Sequence, residues 1–350
     1  MMNLVQKLEE SIADKIKNYQ KHLNDWKFDD AHVDKWINQF PVDERIIVLT
    51  ETDNLLAQNY MSKRNIKEFF DEIWSTEEIM GTSPRLSMDK IQFLNIQGRG
   101  NSQRRLVDLL EKQYLKTKGV AINRENHFNI NRYIYLDDCM FTGFRLIKDI
   151  NDWIDHMHPN KNTQLDVIFL GKYNGNYNYV FKQLQKKCSE RRINVDIYNM
   201  YEYNNDLQSM PPYDVLWPQY MEDDEYVNAF VKEMEEQKKN TGKGGLGFRN
   251  PYLTKEESNL FTSSQNRIIF EKALLKKGAY ICSLPQCRNE RLKPMGYSHI
   301  ISLGFGAFFA TCYNISNNCP LAFWWGNMQS SSSETLGKWY PLLPREVHQQ

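Results

Sequence analysis

The sequence predicts an α/β protein: a parallel sheet flanked by helices, with an N-terminal helical region and a C-terminal α+β module. Three observations point there. Apolar runs alternate with amphipathic helical patterns through the middle of the chain, which implies βαβ units and right-handed crossovers. One apolar run, Tyr133–Leu136, delivers the adjacent carboxylates Asp137 and Asp138, then Cys139-Met140-Phe141-Thr142-Gly143 and a helical stretch. Before the alternating region, Leu4, Leu8, Ile12, Ile16 and Tyr19 mark one helical face.

In chain order, residues 1–83 read as largely helical, with a second apolar face at Ile46, Val48, Leu49, Leu55 and Leu56. Residues 84–210 form the α/β core. Its central strands are expected at Phe93–Ile96, Tyr133–Leu136, Val167–Leu170 and Val195–Tyr198. The polar loop Gln97–Gln103 follows the first strand, and leucines at helical spacing from Leu106 follow the loop. Tyr114–Arg132 is polar with little helical pattern, and Tyr179–Arg191 reads as a helix. Residues 211–263 read as a charged and Gly-rich linker or insertion. It begins at Pro211-Pro212 and includes the acidic run Glu222–Glu225 and a charged helix at Glu233–Lys239. Its Thr241–Gly247 stretch holds a Gly-Lys pair without P-loop spacing or a preceding strand. Residues 264–350 read as a helix and several strands. Gly304–Trp325 is expected to form a strand, an Asn-Asn turn and a second strand ending in Trp324-Trp325, near the sheet's carboxyl edge or extending it. The tail after Trp339 reads as extended.

Ligands of such sheets bind at the carboxyl ends of the strands. The Gly98 loop and the Asp137 loop should leave neighbouring strands side by side at that edge. A helix N-terminus after Gly143 favours an anion, because the amides of a first helical turn lack intrahelical acceptors. Carboxylates just upstream would repel a bare phosphate. They fit ribose hydroxyls, held directly or through a divalent cation. The same residues also suit a buried strand ending in an Asp-rich turn that caps the next helix.

The stretch Asp137-Asp138-Cys139-Met140-Phe141-Thr142-Gly143 resembles the phosphoribosyl pyrophosphate (PRPP) loop of type I phosphoribosyltransferases. The resemblance implies that Asp137 and Asp138 bind the ribose hydroxyls and Mg2+, and that Cys139 to Gly143 wrap the 5′-phosphate. Arg145 departs from the Ser or Thr common there, although arginine can also bind phosphate. It further implies a pyrophosphate loop at Gly98, Arg99, Gly100 and Ser102. A closing hood would occupy Tyr114–Arg132, with Lys118, Arg124 and His127 as contacts.

Three further segments, Val33–Phe40, Arg267–Gly278 and Gly304–Trp325, are similar to the PRTase-CE family of bacterial conflict systems. That resemblance implies a cytoplasmic anti-phage effector acting on PRPP or a nucleotide at ribose C1′. It also leaves room for a nucleotide-sensing regulator that does not turn over, or for a scaffold subunit of a defence complex such as a retron. A protein partner is expected, with nucleic acid present only through that partner or as acceptor.

Composition bounds these readings. The 350 residues carry 44 basic and 44 acidic side chains, so bulk charge gives no reason for nonspecific nucleic-acid binding. No apolar run is long enough to cross a bilayer, and Met1–Asn18 reads as a charged amphipathic helix rather than a secretory leader. The cysteines, including Cys282 and Cys287, lack the tight spacing of zinc sites and read as reduced thiols.

Overall fold

The computed structural model describes residues 4–21, 26–98, 100–125, 128–206, 212–221, 223–245, 247–250, 260–285 and 289–345. Arg99, His127, Pro211, Glu222, Leu246 and Cys287 lie outside them, as does the tail beyond 345. The chain divides into two compact units, Lys63–Gln208 and Met1–Ser62 with Ser209–Gln350.

Among the described residues, helices α1 (Leu4–Ile16), α2 (Asp30–Ile37) and α3 (Arg45–Asn59) precede the short strand β1 (Tyr60–Met61). The unit Lys63–Gln208 opens with α4 (Lys63–Ser75), α5 (Glu77–Met80) and α6 (Pro84–Ser87). Strands and helices then alternate: β2 (Ile91–Phe93), α7 (Ser102–Lys118), β3 (Arg132–Met140), α8 (Phe144–Met157), β4 (Gln164–Tyr173), α9 (Tyr177–Ser189) and β5 (Asn194–Tyr203). Beyond that unit come α10 (Glu225–Thr241), α11 (Ser264–Ser283), β6 (Ala310–Thr311) and α12 (Leu321–Trp324).

Strands β2 to β5 form a four-stranded parallel sheet in chain order. Alternate residues Tyr133, Tyr135, Leu165, Val167 and Phe169 pack with Ile150 and Trp153 of α8 and Val180 and Leu184 of α9. Ile134, Leu136, Ile168 and Leu170, pointing the other way, are equally buried, so the sheet is covered on both faces. The expected boundary between residues 83 and 84 falls inside this unit. Helix α4 is tied to α7: Gln113 donates to the Lys67 carbonyl at 2.8 Å, the Tyr114 hydroxyl donates to the Phe70 carbonyl at 2.7 Å, and Trp74 meets Tyr114 edge-on at 5.0 Å.

Strand extents differ from those expected. The β2 ladder ends at Phe93, with the Leu94 N–H donating once more to the Ile134 carbonyl, and does not reach Ile96. The Gln103 side chain draws the chain out of the ladder, because its Oε1 accepts from the Ile96 and Gln97 amides at 2.7 and 3.0 Å. Strand β3 runs through the acidic pair to Met140, because β4 continues beside it: Cys139 pairs with Gly171 and Met140 with Lys172.

In the other unit, β1 and β6 pair in parallel. The α2 region and the tail interlock. Trp36 and Trp339 both donate to the Ala322 carbonyl, at 2.9 and 3.0 Å, and Gln39 exchanges 2.8 Å bonds with the Tyr340 backbone. In the span read as a linker or insertion, the expected charged helix forms as part of α10, and parts of the span are anchored to α11. Buried Glu271 accepts from Trp217 N–H at 2.8 Å and pairs with Arg267 at 2.9 Å and Arg249 at 3.2 Å.

The expected Gly304–Trp325 hairpin does not form. Its ordered strand is β6, joined to Ile315 by an isolated antiparallel bridge, and Trp324 ends α12. Leu321, Ala322, Phe323 and Trp324 are all buried, so they lack the in–out alternation of a strand. This segment belongs to the two-stranded sheet and does not extend the four-stranded one. Among the described residues, β6 is the only strand after residue 264. No helix among the described residues is long and apolar enough to cross a membrane.

Candidate functional site

The carboxyl ends of β2 and β3 bring the Gly98 loop to the acidic pair. The Ser102 hydroxyl, opening α7, donates to Asp137 Oδ1 at 2.6 Å, and Gln97 Nε2 donates to Asp137 Oδ2 at 3.2 Å. Asp137 also accepts the Asp138 amide at 2.9 Å, and Asp138 accepts the Cys139 amide at 2.7 Å. Below them the Tyr135 hydroxyl lies 3.4 Å from Asp137 and 3.2 Å from Asp149 of α8.

This is a crowded set of carboxylates. Burial raises Asp137 above its ordinary value, against the hydrogen bonds of Ser102 and the Asp138 amide. Burial and the Asp137 charge push Asp138 up to about 8. Asp149 is raised by burial, while the Arg145 guanidinium, the Tyr135 hydroxyl and the Gly98 amide favour its ionised form. Carboxylates held this way gain from hydroxyl donors or a cation. Among the described residues, no three or more His, Cys, Asp and Glu side chains converge into a metal cage. Mg2+ typically binds through one or two carboxylates plus ligand phosphates, and the Asp137–Asp138 pair fits that role.

The turn between β3 and α8 is shorter than the loop expected there. Cys139 and Met140 sit in β3, buried and committed to its ladder, which leaves Phe141, Thr142 and Gly143 before α8. Gly143 has φ +74°, and a Cβ there would lie 2.3 Å from Val180 Cγ2. Glycine is therefore required both by conformation and by the approach of α9. The Thr142 carbonyl accepts from Asn176 at 3.3 Å, and Phe141 stacks on Tyr173 at 5.5 Å. The α8 N-terminus opens directly behind this loop, where its dipole favours an anion.

The model of one protein family, PRTase-CE, matches residues 33–345. The chain belongs to the PRTase-CE family. Comparison with curated proteins and with solved structures yields no match. The match covers both units of this PRTase-CE chain.

Of the residues anticipated for this PRTase-CE site, Asp137, Asp138, Ser102 and Gly98 come together, with Phe141, Thr142 and Gly143 forming the adjoining turn and exposed Arg145 in the first turn of α8. Gly100, at φ +93°, shapes the first loop, with a Cβ position 3.4 Å from Gln97 Oε1. Arg99 lies outside the described residues. The first part of the segment expected as a hood, Tyr114–Lys118, is helical, because α7 continues to Lys118. Lys118 pairs with Asp71 at 2.9 Å, and Arg124 pairs with Asp108 at 2.8 Å and Glu111 at 2.6 Å. Gln97, Gln103, Tyr135 and Asp149 were not anticipated. Tyr135 and Asp137 share a strand face by their i, i+2 spacing, a signal available in the sequence. Asp149 reaches the cluster only through the packing of α8.

Proposed function

We propose that this PRTase-CE protein binds PRPP or a nucleotide with Mg2+ at the carboxyl ends of β2 and β3, and makes or breaks the bond at ribose C1′. The observation that carries the reading is the raised Asp137–Asp138 pair, braced by Ser102 and Gln97 from the neighbouring loop and followed by the Gly143 turn into α8. Asp137 and Asp138 engage the ribose hydroxyls, and the 141–143 turn with the α8 N-terminus receives the 5′-phosphate. Mg2+, held by Asp137 and Asp138, would neutralise pyrophosphate charge. Gln97 and Ser102 keep Asp137 oriented for the ribose. We extend the proposal to a cytoplasmic anti-phage effector working with a protein partner.

A non-catalytic nucleotide sensor is the second reading. It is favoured by Ser102, whose hydroxyl is engaged by Asp137. Mass spectrometry of nucleotides in cells producing the protein, with and without phage, separates the two. Turnover predicts a changed nucleotide or nucleic-acid pool that is lost in Asp137→Asn/Asp138→Asn. Binding of PRPP or nucleotide with an unchanged pool, in the partner's presence, would support the sensor.

A further inference from the structure

Two aromatic rings stand half exposed beside the phosphate turn. Phe144 follows Gly143 directly, is 49% exposed, and meets Tyr179 of α9, 50% exposed, edge-on at 6.2 Å. Rings left this open at paired helix starts suit a planar partner that covers them. Tyr179, Lys182 and Lys186 follow i, i+3, i+7 spacing and so share one face of α9. Lys182 and Lys186 are exposed and have no acidic partner among the described residues. The other cations of the two helices are answered locally: Lys148 by Asp152, and Lys187 by Asp155 and Glu190. Exposed Arg145 lies at the top of the same surface, one residue past Phe144. Arg145 faces the Asp137 and Asp149 charges, so the result is a phosphate turn, an aromatic step and two lysines, Lys182 and Lys186, with no acidic partner among the described residues.

We propose that this surface binds single-stranded nucleic acid, so that the phosphate received at the 141–143 turn belongs to a strand continuing over Phe144 and Tyr179. The inference rests on the phosphate-turn reading given above and names the substrate class of the same site. A free mononucleotide would leave the two rings and the lysines unused. In a strand, the next base stacks on the aromatic step, and the following phosphates meet Lys182 and Lys186. A duplex does not offer its base faces to stacking, which excludes it as the preferred ligand. The neutral overall charge of the chain is no obstacle, because the positive charge is concentrated along one helix face.

The test is fluorescence anisotropy with a labelled oligo-dT and an oligo-rA of about 12 nucleotides, a duplex of equal length, and a polyglutamate peptide as competitor. Full-length protein should bind the single strands more tightly than the duplex. With three phosphates neutralised, log affinity should fall with log salt at a slope of about −2, so a fourfold rise in salt weakens binding about sixteenfold. Tyr179→Ala should weaken binding by about fivefold or more, and Lys182→Glu/Lys186→Glu should abolish it. Calorimetric PRPP binding by the same variants should be unchanged. Preserved PRPP binding without oligonucleotide binding would overturn this inference alone. Oligonucleotide binding without PRPP binding would instead overturn the phosphoribosyl reading. Equal binding of duplex, or full displacement by polyglutamate together with indifference to Tyr179→Ala, would show only a generic polyanion surface and also overturn the inference.

Discussion

At the end of β3, burial and the Asp137 charge hold Asp138 protonated up to about pH 8, against an ordinary value of 3.8. The folded chain therefore binds more protons than the unfolded chain between those limits. The sign follows: the penalty is absent below the unfolded value, grows as pH rises, and is complete above about 8. Thermal midpoints of the ligand-free protein should fall between pH 5.5 and 8.5, and Asp138→Asn should flatten that slope while raising the midpoint at pH 8.5. An unchanged slope in the variant would contradict the assigned environment. Mg2+ with PRPP should oppose the decline, because a cation favours the ionised pair. The acidic pair was legible in the sequence because two adjacent carboxylates ending an apolar run are hard to place in a core. Asp149 and Gln103 were not, because each acts through a helix's packing and neither carries a local pattern.

Among the elements, the turn from β3 to α8 depends on Gly143. Alanine there would adopt a strained φ of +74° and press its Cβ on Val180. Gly143→Ala should cost about 2 kcal/mol or more, read by urea denaturation. Adding Val180→Ala should recover part of the loss by removing the clash. Additive losses would mean that strain at the turn alone is responsible. The strands were legible because their apolar runs lie between turn residues, and their parallel order followed from the intervening helices. Their lengths were not, since β3 keeps its ladder through charged residues that end an apolar pattern. The Trp324-Trp325 segment misled for the opposite reason: aromatic residues favour strands locally, but burial of Leu321–Trp324 all round selects a helical turn.

For the whole molecule, the unit formed by Met1–Ser62 and Ser209–Gln350 depends on contacts between segments far apart in sequence, which no local pattern announces. Glu271 is one example, buried with Arg249 and Arg267 while accepting the Trp217 amide. Glu271→Ala removes the carboxylate that pairs with both buried guanidinium groups and should cost about 3–5 kcal/mol. Hydrogen exchange should accelerate over 213–218 and α11 while the β2–β5 sheet keeps its protection; a loss of protection spread evenly through the sheet would refute that local role. The central claim, a phosphoribosyl site at the carboxyl ends of β2 and β3, is tested most directly by calorimetric titration of the full chain with PRPP and nucleoside monophosphates, with and without Mg2+. The account predicts saturable binding that Mg2+ strengthens and that Asp137→Asn/Asp138→Asn removes from a folded protein. Absence of binding by the folded parent, or binding undiminished in the double variant, would contradict it.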